Sequence, residues 1–415
     1  MDILTSECAA ARLLVRVTSY RDVEEVLRRS RDFIVGDTKV ESHAFLAGSI
    51  VTLDGPDHVE RRRLLMRAID VRRPWGPFGA LFDEFFEQNL AAICQGARTP
   101  VAFDLVEFAR RTICQTIVAM IGIDNVAAAE ELALFQSLAR AFINAATVEF
   151  TLEDHTTVVS TGREALDTVR SVFFWTSYER RVRLVSEAAG DAAKRKDLPA
   201  DLITTMILAA GDAPDPELIL REAMVFFTAA VNNPVNQTPF GLEDIELWSA
   251  AHPRELTRLD DDVFLSQSVQ ETLRLHRTGN PYLLRRAVTD ATLESGFQFR
   301  AGDRIALDLG AANHDKTVFG SDAAEFNLLR TVPAGVKPYG LAFGSGTHAC
   351  IGRPLVVFDQ GNPISLGFQT RMLRGLVRAG IRPDPQGARV KEPHAADRYA
   401  SFGVVVGPPL SSSAR

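Results

Sequence analysis

The sequence predicts a mainly α-helical protein with a minor strand-rich part. Three observations carry that prediction. Apolar residues recur at three- and four-residue spacing through most of the chain, one long helical pattern runs from Glu217 to about Asn233, and short β-type runs are confined to the N-terminal region and to positions 284–307. With 415 residues and 46% hydrophobic content the chain can bury a large core. No internal repeat, low-complexity tract or convincing linker divides it, so residues 1–415 are expected to form a single domain.

The elements follow in order. Leu13 to Thr18 reads as a strand, and Ser19 then caps a short helix carrying Val23, Val26 and Leu27. A second helix starts near Asp57. Helical stripes run through Leu81, Phe82, Phe85, Phe86 and Leu90, then through Val106, Ile113, Ile117 and Ile121, as core faces. A mixed, partly polar helical region spans Ala141 to Ala189, followed by Asp201 to Ala210 and a break at Asp212-Ala213-Pro214-Asp215-Pro216. After the long pattern come a helix over Val263 to Leu275 and strands around Leu284 to Val288, Gln298 to Arg300 and Arg304 to Leu307. Pro234 either kinks the long helix, through its missing N–H and a clash with the Ala230 carbonyl, or ends it early.

Composition narrows the function. The 46 basic and 53 acidic residues give a net charge of −7, dispersed along the chain, which does not suggest a nucleic-acid surface. Cys8, Cys94, Cys114 and Cys350 show no paired or CxxC spacing, so neither a disulfide framework nor structural zinc is expected. No stretch approaches the roughly 18 apolar residues of a membrane span, and no signal-like segment opens the chain. A soluble, cytoplasmic protein is expected.

The chemistry concentrates in Phe343-Gly344-Ser345-Gly346-Thr347-His348-Ala349-Cys350-Ile351-Gly352. A thiol flanked by glycines suits a loop that turns tightly around one sulfur with backbone N–H groups aimed at it. Such a sulfur suits a thiolate, which needs a positive charge or a metal beside it. The segment resembles the haem-binding loop of the cytochrome P-450 superfamily, Phe-Gly-x-Gly-x-His-x-Cys-x-Gly, at every fixed position. The resemblance extends from Leu14 to Ala400-Ser401-Phe402-Gly403.

What the resemblance implies is specific. The fold would hold haem b (iron protoporphyrin IX) between a long distal helix and the Cys loop, with Cys350 as axial iron ligand and Phe343, Gly344 and Gly352 shaping the loop. His58 and Arg62, one helical turn apart, would join Arg285 and His348 at the two haem propionates. Glu271 and Arg274 would pair with Arg330 in a buried structural network beneath the haem. Arg61, Arg63 and Arg67 form either a solvated face or a patch for an acidic ferredoxin, itself served by a reductase. The bacterial type is implied, acting as a monomer on a small or medium organic substrate.

Position in the resembled family offers Phe45, Leu46, Phe142, Ile143, Phe227, Ala230, Val231, Asn280, Tyr282, Leu283 and Phe402 as pocket residues, with core packing the competing reading for the apolar ones. The sequence departs from the family in three places. The N-terminal helix before the first strand is short or absent, and Gly361-Asn362-Pro363 interrupts the helix after the Cys loop, which resumes around Leu366 to Ala379. The distal segment Phe226-Phe227-Thr228-Ala229-Ala230-Val231-Asn232-Asn233-Pro234 places Asn232 and Asn233 where the family has an acid and a threonine. An amide can orient water but does not titrate near neutrality. Two readings stay open: monooxygenation with a substrate-assisted proton relay, or less common haem-thiolate chemistry such as peroxide-driven oxidation, oxidative coupling or nitration. A haem-binding sensor without turnover is the rival from another class.

Overall fold

The structure, a computed structural model, describes residues 14–38, 41–68, 76–95, 100–126, 128–357, 366–392 and 395–407. Leu13, Cys8, the expected lack of an N-terminal helix and the Gly361-Asn362-Pro363 interruption lie outside those residues.

The N-terminal part is built on a small sheet. Strand β1 (Leu14–Val17) leads into helix α1 (Tyr20–Arg28), whose cap Ser19 accepts a hydrogen bond from the Asp22 N–H, and β2 (Phe33–Ile34) follows. Much later in the chain come β4 (Leu283–Ala287), the pair β5 (Ala291–Thr292) and β6 (Gln298–Phe299), and β7 (Arg304–Leu307). The strand order is β1-β7-β4-β2, with β1 parallel to β7 in register Leu14↔Arg304 and β4 antiparallel to β7. Tyr20, Val23, Val26 and Leu27 of α1 pack on Phe33, Phe299 and Ile305 from this sheet region. Residues nearly three hundred positions apart therefore share one core.

Helices make up the remainder. A short α2 (His43–Leu46) precedes α3 (Gly55–Ala68) and α4 (Gly76–Cys94), and β3 (Val101–Asp104) leads into α5 (Leu105–Ile121), capped by Asp104 and ended by left-handed Gly122. Then come α6 (Ala129–Ala146), α7 (His155–Thr168), a π-helical turn at Val169–Phe174, α8 (Trp175–Glu187), α9 (Ala192–Lys196) and α10 (Leu202–Ala210). The longest element is α11 (Pro216–Ala251), about 54 Å at 1.5 Å per residue. It packs on α5, on α12 (Asp262–Leu275) and on α16 (Phe368–Arg378). Three short helices, α13 (Leu309–Asn313), α14 (Lys316–Phe319) and α15 (Arg353–Val356), lie between α12 and α16. The chain closes with β8 (Ile381–Pro383), β9 (Arg389–Glu392) and β10 (Ala395–Val406), which pairs with β3, β8 and β9. The mainly helical architecture with minor sheets agrees with the prediction.

Of the two readings left open at Pro234, the early end is corrected. The long helix neither ends nor breaks at Pro234; it runs through Pro234 and Pro239 to Ala251. A proline in a helix interior costs about 3 kcal/mol. From Pro234 to Leu242 every residue of α11 is buried, among them Val235, Phe240 and Leu242, and each such large side chain contributes about 1.5–3 kcal/mol on burial. The packing outweighs the local penalty. The Pro234 carbonyl also accepts from Thr238 Oγ1 and from Gln369 Nε2, both at 2.9 Å, tying the segment to α16.

Candidate active site

The Cys loop is a closed turn. The Cys350 N–H donates to the Phe343 carbonyl at 2.8 Å, and Gly344 and Gly346 hold φ of +63° and +69°. At Gly346 a Cβ would approach the Leu27 carbonyl oxygen to 2.6 Å, so the left-handed turn and its seat on α1 both demand glycine. Side-chain contacts reinforce the seat: Arg28 Nε donates to Ser345 Oγ, and Ser30 meets Thr347.

Cys350 is set among protein atoms while its residue surface stays accessible. Burial pushes its thiol up, whereas the N–H groups of Gly352 and Arg353 and the Arg62 guanidinium pull it down. The surroundings are prepared for an anionic sulfur but do not by themselves produce one.

Helix α3 spans the ground between this loop and α11. Arg61 reaches Glu222 of α11, Nη1 to Oε1 at 2.6 Å, and the next residue, Arg62, donates to the Ala349 carbonyl beside Cys350, also at 2.6 Å. Glu222 is 1% exposed and receives the Ile50 N–H at 2.9 Å; burial raises its carboxyl, with Arg61 opposing. The basic face expected of Arg61, Arg63 and Arg67 is thereby corrected in part. Arg61 turns inward because a buried carboxylate requires a partner, and Arg63 and Arg67 are the exposed members.

The cationic residues gather on one side. His58 and His348 lie ring to ring at 4.0 Å, His348 Nε2 stands 3.2 Å from Asp54 Oδ1 without hydrogen-bond geometry, and Asp54 Oδ2 accepts from the Gly36 N–H at 2.7 Å. His58 is 2% exposed and among the described residues its Nδ1 has no partner; burial, then His348 and Arg62, hold it down to about 4. Arg285 is 5% exposed, and burial lowers it to about 10, with Asp54 opposing. Its Nη1 donates to the Leu284 carbonyl. Asp54 is thus the carboxylate that acts on His58, Arg285 and His348, while Arg62 turns to the Ala349 carbonyl.

Glu271, Arg274 and Arg330 meet in a separate buried network. Glu271 Oε1 receives Arg274 Nη2 at 2.7 Å and Arg330 Nε at 3.0 Å, while Arg274 Nη1 donates to the carbonyls of Asn313 and Ala323 and Arg330 bonds the Phe319 carbonyl.

The expected pocket residues divide. Leu283 stands at the Cys loop, its Cδ1 4.0 Å from where a Gly344 Cβ would lie. Asn280 and Ile143 are half-buried, and Tyr282 faces the Arg16 guanidinium at 5.6 Å. Phe45 and Phe142 pack edge to face at 6.0 Å, Phe227 meets Phe135 of α6 at 4.8 Å, and Phe402 meets Tyr399 at 4.9 Å. With Leu46 and Val231 these side chains are buried in one apolar cluster, the surroundings that the core-packing reading expects. Phe227 and Val231 are four apart and share the face of α11 turned to α6. Ala229 and Asn233, also four apart, form an accessible strip on an otherwise covered stretch, with Ala230 and Asn232 half-buried beside it. Asn233 Nδ2 donates to the Ala229 carbonyl at 3.3 Å.

Sequence reasoning passed over Asp54, Glu222 and Gln237. Asp54 opens the Asp54-Gly55-Pro56-Asp57-His58 run, and Glu222 and Gln237 are polar residues inside an apolar helical pattern; that isolation was the available signal.

Comparison with known proteins agrees with this geometry. The family profile described as cytochrome P-450 matches residues 253–356. Mycinamicin IV hydroxylase/epoxidase of Micromonospora griseorubida is 27% identical over 381 residues, covering 89% of this chain and 84% of that protein. Putative cytochrome P-450 123 of Mycobacterium tuberculosis is 26% identical, covering 80% of this chain and 73% of that protein. Among solved structures, a mutant of P-450 EryK in complex with erythromycin B superposes with a TM-score of 0.68 at 19% identity, covering 95% of this chain and 91% of that one. CalO2 superposes with the same TM-score of 0.68 at 19% identity, covering 95% and 90%. In its thiol loop and over most of its length the chain is thus similar to cytochrome P-450 proteins, and it shares their fold.

Proposed function

We propose that the chain is a single-domain haem-thiolate monooxygenase that binds haem b with Cys350 as axial ligand and oxidises a small or medium organic substrate with dioxygen, by hydroxylation or epoxidation. The observation that carries this reading is the Cys350 loop. Its sulfur is met by two N–H groups and Arg62, yet needs a further positive partner to ionise. The donor set fits the rest of the group: His58 with an Nδ1 unpartnered among the described residues, buried Arg285 and His348 share Asp54 as acidic neighbour, and with Arg62 they offer the cationic and N–H donors that two propionates would require.

When bound, the thiolate-ligated iron supplies dioxygen cleavage and hydrogen abstraction. The chain's own residues do the rest. His58, Arg62, Arg285 and His348 would hold the group's acidic edge, Leu283 borders the loop, and Ala229 and Asn233 offer the accessible strip of α11. The Asn232 and Asn233 amides orient water without donating a titrating proton. Glu271, Arg274 and Arg330 hold the framework. Electrons would come from a reductase through a ferredoxin docking at Arg63 and Arg67, and the protein would act as a cytoplasmic monomer. Among the described residues no helix is long and apolar enough to cross a membrane.

The amides at Asn232 and Asn233 favour one second reading, peroxide-driven oxidation, which needs no proton source for dioxygen. Assaying a panel of organic substrates with dioxygen plus reductase and ferredoxin, and in parallel with hydrogen peroxide, separates the two. Product from the dioxygen arm is expected; turnover with peroxide alone overturns the monooxygenase reading.

A further inference from the structure

Helix α11 carries a buried amide with nothing to bond. Gln237 is 2% exposed, and among the described residues neither its Nε2 nor its Oε1 has a partner. Leaving a buried polar group unsatisfied costs about 1–3 kcal/mol, so two such atoms on one side chain point to a water or ligand. Gln237 stands four residues beyond Asn233, one turn along the accessible strip. On its other flank it borders a small cavity of about 10 Å³ whose polar lining is Gln237, Thr238, Thr272 and Gln369, contributed by α11, α12 and α16. Such a space admits one water.

The cavity connects onward. Thr272 Oγ1 donates to Asp244 Oδ2 at 2.7 Å, and Asp244 also meets His276 Nε2 at 3.1 Å. Asp244 in turn lines a cleft of about 450 Å³ with Leu247, Trp248 and His252, and its side chain is 12% exposed. From outside inward the order is cleft, Asp244 carboxyl, Thr272 hydroxyl, one-water cavity, Gln237. Asp244 and Gln237 are seven residues apart on α11, about 10 Å along its axis.

We propose that this line carries protons toward the Asn233 turn of α11, supplying what the Asn232 and Asn233 amides cannot; the proposal rests on the monooxygenase reading above. When Asp244 Oδ2 takes up a proton, the Thr272 hydroxyl turns its hydrogen from that oxygen to the cavity water; the Asp244 proton then passes to Thr272 Oγ1 as the hydroxyl hydrogen passes to the water. The products are an Asp244 carboxylate, an intact Thr272 hydroxyl and a protonated water. Gln237 orients that water by donating from Nε2 or accepting at Oε1, so it is a positioning residue. Solvent in the cleft returns a proton to Asp244.

Two measurements test the line. A crystal structure of the purified holoprotein is expected to show one ordered water hydrogen-bonded to Gln237 in the cavity between α11, α12 and α16; a dry cavity overturns the proposal. Thr272→Val and Asp244→Asn keep side-chain shape while removing the hydroxyl or the titrating group. With dioxygen, reductase and ferredoxin, each is expected to lower product formed per reductant consumed several-fold, leaving peroxide-driven turnover and the substrate-induced spectral shift unchanged, and Thr272→Ser restores the ratio. Unchanged coupling in both variants overturns it. Wild-type protein without any dioxygen-driven turnover marks failure of the parent reading, and the line falls with it.

Discussion

His58 shows how one side chain reports on its site. Burial beside His348 and Arg62 takes its imidazole from 6.5 to about 4. A histidine whose folded value is depressed contributes stability that is full above about 6.5 and is lost as pH falls toward about 4. The haem-free protein is therefore expected to lose up to about 3 kcal/mol of urea stability across that window. His58→Gln should flatten the slope. A wild-type pH profile that the variant leaves unaltered contradicts the account of His58 as a buried, unpartnered base. At this scale much was readable in advance: the Cys350 loop and the His58–Arg62 spacing stand in the sequence because their chemistry is local. Asp54 and Glu222 were not legible, since what distinguishes them is a partner far along the chain.

Among elements, the tie between α3 and α11 is the most exposed to test. Removing Arg61 leaves Glu222 ionisable and unpaired where it is 1% exposed, and breaking a buried pair in this way costs about 3–5 kcal/mol. Arg61→Ala should lower stability by that order in denaturant titration, and the added change Glu222→Gln should recover part of it. An Arg61→Ala variant as stable as wild type sinks the assignment. Element boundaries divide by the same logic of locality. The helices at 202–210 and 262–275 and the strand at 304–307 were visible because Asp201 and Asp261 cap the helices and apolar spacing continues through them. Whether α11 passes Pro234 or ends there stayed open in the sequence, because the burial that offsets the proline comes from helices distant along the chain, not from neighbours in sequence.

For the whole molecule, the mainly helical class followed from periodicity, whereas the pairing of β1 with β7 and of β3 with β10 did not. Short strands joined across nearly the full chain carry no pairing information in their own residues. The charge distribution has a consequence at this scale. The protein is acidic, with a net charge of −7, so an acidic electron carrier is repelled except where basic residues are exposed together. Under the proposed ferredoxin docking, Arg63→Glu with Arg67→Glu is expected to slow association about tenfold at low salt, with the difference shrinking as ionic strength rises. Stopped-flow reduction rates equal to wild type at low salt would move the docking site elsewhere.

The bond between the Cys350 sulfur and iron is the claim on which the functional account stands. The carbon monoxide difference spectrum of the reduced protein reads it directly: the wild type should give the thiolate-ligated haem band and Cys350→Ala should lose it. A Cys350→Ala protein that keeps the same band and the same pigment content contradicts the account.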